Sequence, residues 1–379
     1  MNFNKTTIVS TNYEFKLLYI VAITFVVAAH CENGGISILY EWFSPAAFHL
    51  AVFMFASGYF YKTSDEVHPL PAIFHKAKRL IIPMYLYNLF YGILVQISRI
   101  FGFSIGENFT LRNLLLMPWV NGHQFIYNMG GWFIAPLFMI YVLTLFLRKL
   151  LGKYANNWGL FFLYCVLGIL GVKAASLGFS STNYGLMISR VCYFLPFYGF
   201  GVLYRSHLES MDKMPSVVYF FLLFAAELII ITKYGYPVAY SPSWCNNFTN
   251  PFMPFIVGFI GLLFWLRVCK LLAPILQNAN SRLPLEIGNS TYSIMMNQFL
   301  GFMLVKTVFA CINVVSSGKI FSGFDHTLYH TDIWYYYVPD GINQWKIVYL
   351  LAGILVPVLI QRLISRLKSA LIKHKSTDC

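Results

Sequence analysis

Three polar constellations stand out in an otherwise apolar chain, and each carries groups able to move a proton or hold an anion. The first is His30, which closes the run Val26-Val27-Ala28-Ala29-His30. A neutral imidazole titrates near working pH, so it can take a proton from an acceptor hydroxyl as a general base. Tyr19 lies eleven positions earlier and Lys16 one helical turn before that, so all three fall near one helix face. An interfacial histidine bonded to a neighbour is the plainer alternative for His30. The second constellation is the run Phe48 to Lys62, where His49 and Phe53 share a face and His49 falls at a depth similar to His30. Ser57-Gly58 in that run reads as a point of close helix packing. The third is His75-Lys76-Ala77-Lys78-Arg79-Leu80-Ile81-Ile82-Pro83. Its cations suit the phosphates of a nucleotide-like ligand, arginine as a bidentate fork and lysine as a point charge. They serve equally as topology determinants or as anchors for anionic lipid.

The elements that must position these groups are membrane helices. Of 379 residues, 58% are hydrophobic and only 11% charged. A soluble domain carries about 25% charged residues because its surface faces water. Apolar runs recur without a polar linker, which predicts one membrane domain over residues 1–379 rather than several soluble ones. A span needs about 20 mostly apolar residues. The candidates are 15–31, 44–61, 80–100, 131–147, 158–175, 187–204, 215–232, 251–266, 290–312 and 345–360, with Trp and Tyr crowding their ends. The predicted fold is therefore an all-α bundle of about ten transmembrane helices.

The net charge of +13 raises nucleic-acid binding. The basic residues instead gather in short clusters at the ends of apolar runs, on alternate connections, which excludes that reading and predicts both termini in the cytoplasm. Short cytoplasmic tails at 1–14 and 361–379 follow. The first fourteen residues lack the apolar core of a cleavable signal, so the first helix is expected to serve as its own insertion signal. Seven scattered cysteines include no C-x-x-C pair, and neither a metal site nor a disulfide framework is expected. Arg190, Glu227 and Lys306 are intramembrane charges, of the kind that line cavities or pathways. The longest outer segments, 101–130 and 313–344, include Tyr335-Tyr336-Tyr337 with Asp325, His326, His330 and Asp332. Such a mixture suits carbohydrate or interfacial lipid, and an aromatic belt accounts for it as well.

Taken in order, these motifs resemble the acyltransferase-3 family of integral membrane O-acyltransferases, in particular the bacterial branch that acetylates surface sugars. The first helix ends like the family's VV-x-x-H, and the second reads F-H-x-x-x-F-x-x-x-S-G-Y-F-Y-K, starting at Phe48. Lys76-x-x-Arg79-x-x-x-Pro83 is similar to the basic start of its third helix. Gly131-Trp132-Phe133-Ile134-Ala135-Pro136-Leu137-Phe138, Phe194-Leu195-Pro196-Phe197-Tyr198-Gly199-Phe200-Gly201 and Gly288-Asn289-Ser290-Thr291-Tyr292-Ser293-Ile294 continue the likeness. Two positions depart from it. Tyr19 stands where the family usually has Arg or Lys, and Asn297-Gln298 where a His often ends the last motif.

The resemblance implies transfer of an acyl group, usually acetyl, from cytosolic acyl-CoA to a hydroxyl of a glycan or lipid-linked sugar. Acetyl-CoA would be a co-substrate, with no cofactor bound permanently, and membrane lipid the surrounding partner. Lys76, Lys78 and Arg79 would hold the phosphates, with the pantetheine arm along the Lys16–Tyr19 stripe. His30, aided by His49, would be the catalytic base, and Trp132, Arg190 and Asn297 would bind the substrate. The bacterial plasma membrane is the implied location. A polysaccharide transporter, flippase or polymerase is the alternative class, though the paired halves of a transporter are not evident. A non-catalytic relative that binds lipid or glycan is a third reading.

Overall fold

The computed structural model of the chain describes residues 11–31, 36, 45–182, 184–234, 240–246, 250–279 and 282–377. Lys5, Cys379 and the start of the second predicted span at residue 44 lie outside the described residues. Among the described residues the architecture is all-α, a polytopic helical bundle. Ten helices follow the ten apolar runs: α1 (Tyr13–Ala29), α2 (Pro45–Tyr59), α3 (Pro69–Ile100), α4 (Ile134–Leu151), α5 (Asn157–Ser176), α6 (Gly185–Leu203), α7 (Ser216–Tyr234), α8 (Met253–Ala279), α9 (Thr291–Val315) and α10 (Lys346–Thr377).

From α3 onward, eight helical segments are long and apolar enough to cross a membrane. The first two helices are shorter, at 17 and 15 residues. Their rise of about 25 and 22 Å falls short of a hydrocarbon core of about 30 Å. Both are interior helices: Leu18, Ala22, Ile23 and Val27 of α1 and Phe48, Val52, Met54 and Phe55 of α2 are sealed from the surface. Other helices are longer than their apolar runs. α3 begins at Pro69 rather than at residue 80, because hydropathy marks only the part inside hydrocarbon. Lys76 and Arg79 therefore sit on the helix itself.

The centre of the bundle is α6, where Arg190, Tyr193, Phe194, Phe197 and Tyr198 are buried. It packs against α2, α4 and α5, while α1 packs on α2 and α8, and α9 on α10. Helix α7 lies at the rim, with Val217, Phe221, Leu222 and Ile229 exposed. Exposed apolar rims of this extent suit lipid, which offers no hydrogen bonds and demands that helices satisfy their own backbones. The Ser57-Gly58 reading as packing holds. A Cβ on Gly58 would sit 2.0 Å from the Tyr198 carbonyl oxygen, and one on Gly201 would sit 2.0 Å from that of Phe55. Small residues thus let α2 and α6 approach backbone to backbone.

At the end of the bundle that carries His30, the connections fold back over the helices. Residues 320–337 turn inward: Tyr336 and Tyr337 are buried, and Tyr349 of α10 donates to the Tyr337 carbonyl at 2.9 Å. These tyrosines are packed against the helix ends rather than arrayed as a belt. The opposite end carries Lys62, Lys76 and Arg79.

Candidate active site

His30 caps α1, and its ring orientation is set by local backbone. Nδ1 lies 2.7 Å from the carbonyl oxygen of Val26, one turn earlier. A carbonyl can only accept, so Nδ1 carries the proton and Nε2 keeps its lone pair. That is the tautomer a general base needs. The ring sits against Trp334 in a stacked arrangement at 5.9 Å and meets the edge of Phe299 at 5.3 Å. The backbone beneath is pinned from the far connection, since Tyr336 donates its hydroxyl to the His30 carbonyl at 2.6 Å. Tyr336 is in turn fixed by Lys306 of α9, whose ammonium lies 4.7 Å from its ring centroid and donates to the Ile333 carbonyl at 2.6 Å. The buried cation Lys306 thus serves to hold the segment that holds His30.

His30 and His49 line one cavity of about 140 Å³. Trp132, Phe133, Ser243 and Met295 complete much of its wall. A short 3-10 turn, Met129–Phe133, carries Trp132 and Phe133 to this point. The turn can nest against α9 because Gly130 has no Cβ, which would lie 2.3 Å from the Met295 carbonyl oxygen.

A second cavity, of about 550 Å³, opens from the basic end. Tyr19, Ser57, Lys62, Lys76, Arg79 and Tyr292 are among its lining residues. Tyr19 stacks on Phe53 at 5.9 Å along its wall. Phe133 and Met295 line both cavities, so a single layer of side chains stands between the basic chamber and the histidine chamber. A third cavity of about 360 Å³ shares Ser57, Phe60, Lys62, Lys76 and Arg79 with the large one and forms its mouth, with His68, His75 and Asp65. From Tyr19 to His30 the rise along α1 is about 16 Å. The polar groups of the mouth and the large chamber and the two histidines thus lie in succession through the bundle, interrupted at Phe133 and Met295.

A family described as an acyltransferase domain matches residues 12–312, from the start of α1 into the last turns of α9. The chain belongs to the acyltransferase-3 family. It is a multi-pass membrane acyltransferase, and the match speaks for a transferase rather than a transporter, flippase or polymerase. Neither the curated proteins nor the solved structures returned a match.

Set against this family's motifs, the expected site residues divide into two groups. His30, His49 and Trp132 come together in the small chamber, and Tyr19, Lys76 and Arg79 in the large one. Lys78 is turned away, because residues two apart on a helix point about 200° apart. Its ammonium lies 4.5 Å from the centroid of the Phe74 ring, outside both chambers. Lys16 does not line the chamber either; it bonds Asn289 at the start of the last family motif. The stripe Lys16–Tyr19 is thus split, with only Tyr19 facing the cavity. Asn297 accepts from Tyr91 at 2.6 Å and donates to the Ser293 carbonyl at 2.8 Å, so it joins α9 to α3 and lines neither chamber.

Arg190 is fully buried behind Trp132, its guanidinium 4.5 Å from that ring centroid. It donates to the carbonyls of Asn121, at 2.9 Å, and Ser243, and to His123 Nε2 at 3.1 Å. Arginine has no acceptor, so His123 must be neutral with its proton on Nδ1. Burial and the neighbouring guanidinium push the His123 imidazole down to about 3. Sequence reasoning met Phe133 only inside a family motif and Tyr336 only inside a tyrosine cluster, and it did not single out Met295, Trp334 or His123. Their roles depend on partners far along the chain, which no local spacing records.

Proposed function

We propose that this protein moves an acyl group, acetyl in the simplest case, from an acyl-CoA to a hydroxyl of a cell-surface glycan or lipid-linked sugar. The observation that carries the reading is the pair of chambers meeting at Phe133 and Met295, one basic and one holding two histidines. Lys62, Lys76 and Arg79 meet the phosphates of the donor at the mouth. The pantetheine arm extends along the Tyr19 wall and brings the thioester to the neck. The acceptor hydroxyl enters the small chamber from the His30 end.

There, Nε2 of His30 takes the hydroxyl proton as the oxygen attacks the thioester carbonyl carbon. The C–O bond forms, the C–S bond breaks, and the imidazolium returns the proton to the departing thiolate. His49 lines the same chamber and assists in holding the acceptor. Placing the basic end in the cytoplasm of a bacterial plasma membrane follows the distribution of Lys and Arg. Donor and acceptor then reach the reaction from opposite compartments, without either crossing the bilayer.

The test is release of free CoA by purified protein in detergent, supplied with acetyl-CoA and envelope polysaccharide from the source cells. The expected result is glycan-dependent CoA release, reduced at least 100-fold by His30→Ala while acetyl-CoA binding by calorimetry persists. A fully active His30→Ala variant overturns the catalytic assignment, and absence of acetyl-CoA binding overturns the donor.

A further inference from the structure

Beyond the histidine chamber lies a polar groove that the transfer reaction itself does not require. It has a volume of about 500 Å³ and is lined by Arg112, Asn121, Ser180, Thr182, Trp244 and Asn246, among others. One turn separates it from the chamber. Ser241 and Asn246 pair as an antiparallel bridge, closing the turn Pro242-Ser243-Trp244-Cys245. Tyr240, Ser241, Pro242 and Ser243 face the chamber of His30, while Trp244 and Asn246 face the groove.

The turn is held from beneath by buried groups. Arg190 grips the Ser243 carbonyl, and the neutral His123 ring stacks on Trp244 at 4.4 Å and 25°. The indole is nevertheless 48% exposed. One face of a large flat ring is braced by a buried histidine, and the ring borders a groove of hydroxyls, amides and an exposed guanidinium interspersed with Met117, Val120 and Leu186. A tryptophan that served only to anchor the protein in lipid would face apolar side chains alone, whereas here hydrogen-bonding groups share the groove with it. An amphipathic ring set among hydrogen-bonding groups instead matches a pyranose, which has an apolar C–H face and a rim of hydroxyls.

We propose that this groove holds the sugar units flanking the one that receives the acyl group, so that the acceptor is an oligosaccharide or polymer rather than a single sugar. One ring stacks on Trp244. Asn121, Thr182 and Asn246 meet its hydroxyls, and Arg112 takes an acidic substituent where the glycan has one. The Ser243–Trp244 step delivers the next unit into the chamber of His30 and His49. The proposal rests on the glycan-acceptor reading above and goes further by giving the acceptor a minimum length.

The test uses envelope polysaccharide from the source cells, partly hydrolysed and separated into single sugars and fragments of about six units. Both serve as acceptors in the CoA-release assay. The wild-type protein is expected to favour the long fragments at least tenfold in kcat/KM. Trp244→Ala is expected to bring that ratio near one, Trp244→Phe to restore much of it, and Arg112→Ala, at an exposed position, to lower it without disturbing packing. If single sugars and long fragments are equivalent for the wild-type protein, the groove assignment falls while the transferase reading stands. An unchanged ratio in Trp244→Ala, with weaker association to phosphatidylglycerol vesicles, makes the tryptophan a lipid anchor and also overturns it. If no sugar of any length accepts the acyl group, both readings fall together.

Discussion

At the scale of single residues, the behaviour of His30 is governed by two backbone bonds. Its Nδ1–H donates to Val26, which reserves Nε2 for proton transfer, and its own carbonyl accepts from Tyr336 at 2.6 Å. Tyr336→Phe removes the second bond but keeps the ring. Losing a buried hydrogen bond costs about 1 kcal/mol of stability. The expected result is a several-fold lower kcat with KM for acetyl-CoA unchanged, since the large basic chamber is untouched; a change confined to KM would refute this positioning role. His123 makes a different prediction. Its imidazole is held neutral, with a value near 3, while the unfolded chain binds a proton below about 6.5. Stability is then fully present above that value and is lost as pH falls towards 3, by about 1.4 kcal/mol per pH unit. The melting temperature in detergent should drop between pH 7 and 5 by more in the wild-type protein than in His123→Gln. Equal drops would mean that His123 is not the group responsible.

At the scale of elements, the crossing of α2 and α6 fixes where His49 can stand. Gly58 and Gly201 meet the opposing backbones with no room for a methyl group. Gly201→Ala must push the helices apart, and overpacking of this kind costs about 1–3 kcal/mol. A lowered melting temperature and a reduced kcat are expected together, because the chamber opens as the helices part. An unaltered melting temperature would show that the crossing tolerates a wider spacing. Helix α3 makes a related point through its register. Lys76 and Arg79 are three apart and share the chamber face, whereas Lys78 lies on the other side with Phe74. The basic motif thus divides between chamber and surroundings by helical geometry alone.

At the scale of the molecule, the proposed transfer between the two chambers turns on what fills the neck. Phe133 comes from the turn before α4 and Met295 from α9. Met295→Trp adds bulk where the small chamber has only about 140 Å³. Acetyl-CoA binding measured by calorimetry should survive, while CoA release falls at least tenfold. Loss of binding and turnover in equal measure would place the donor in the small chamber and contradict the two-room arrangement. The buried cations follow the same logic of scale. Arg190 anchors a connection that walls the histidine chamber, through Ser243, and Lys306 anchors, through Ile333, the segment whose Trp334 and Tyr336 hold His30. They act on the site from behind its wall.

Hydropathy, charge alternation and the order of six short motifs were enough to determine a helical membrane bundle and the acyltransferase-3 family, and to place His30 and His49 at a similar depth. Lipid demands long apolar helices, and helical periodicity places a residue on a face, so both are written locally. Tertiary structure alone decided which faces met: that Tyr19 lines the large basic chamber while Lys16 bonds Asn289, that Asn297 joins helices, and that Tyr336 closes on His30 from three hundred residues away. Those outcomes depend on side chains brought together by packing in three dimensions. No spacing along a single helix records its neighbour.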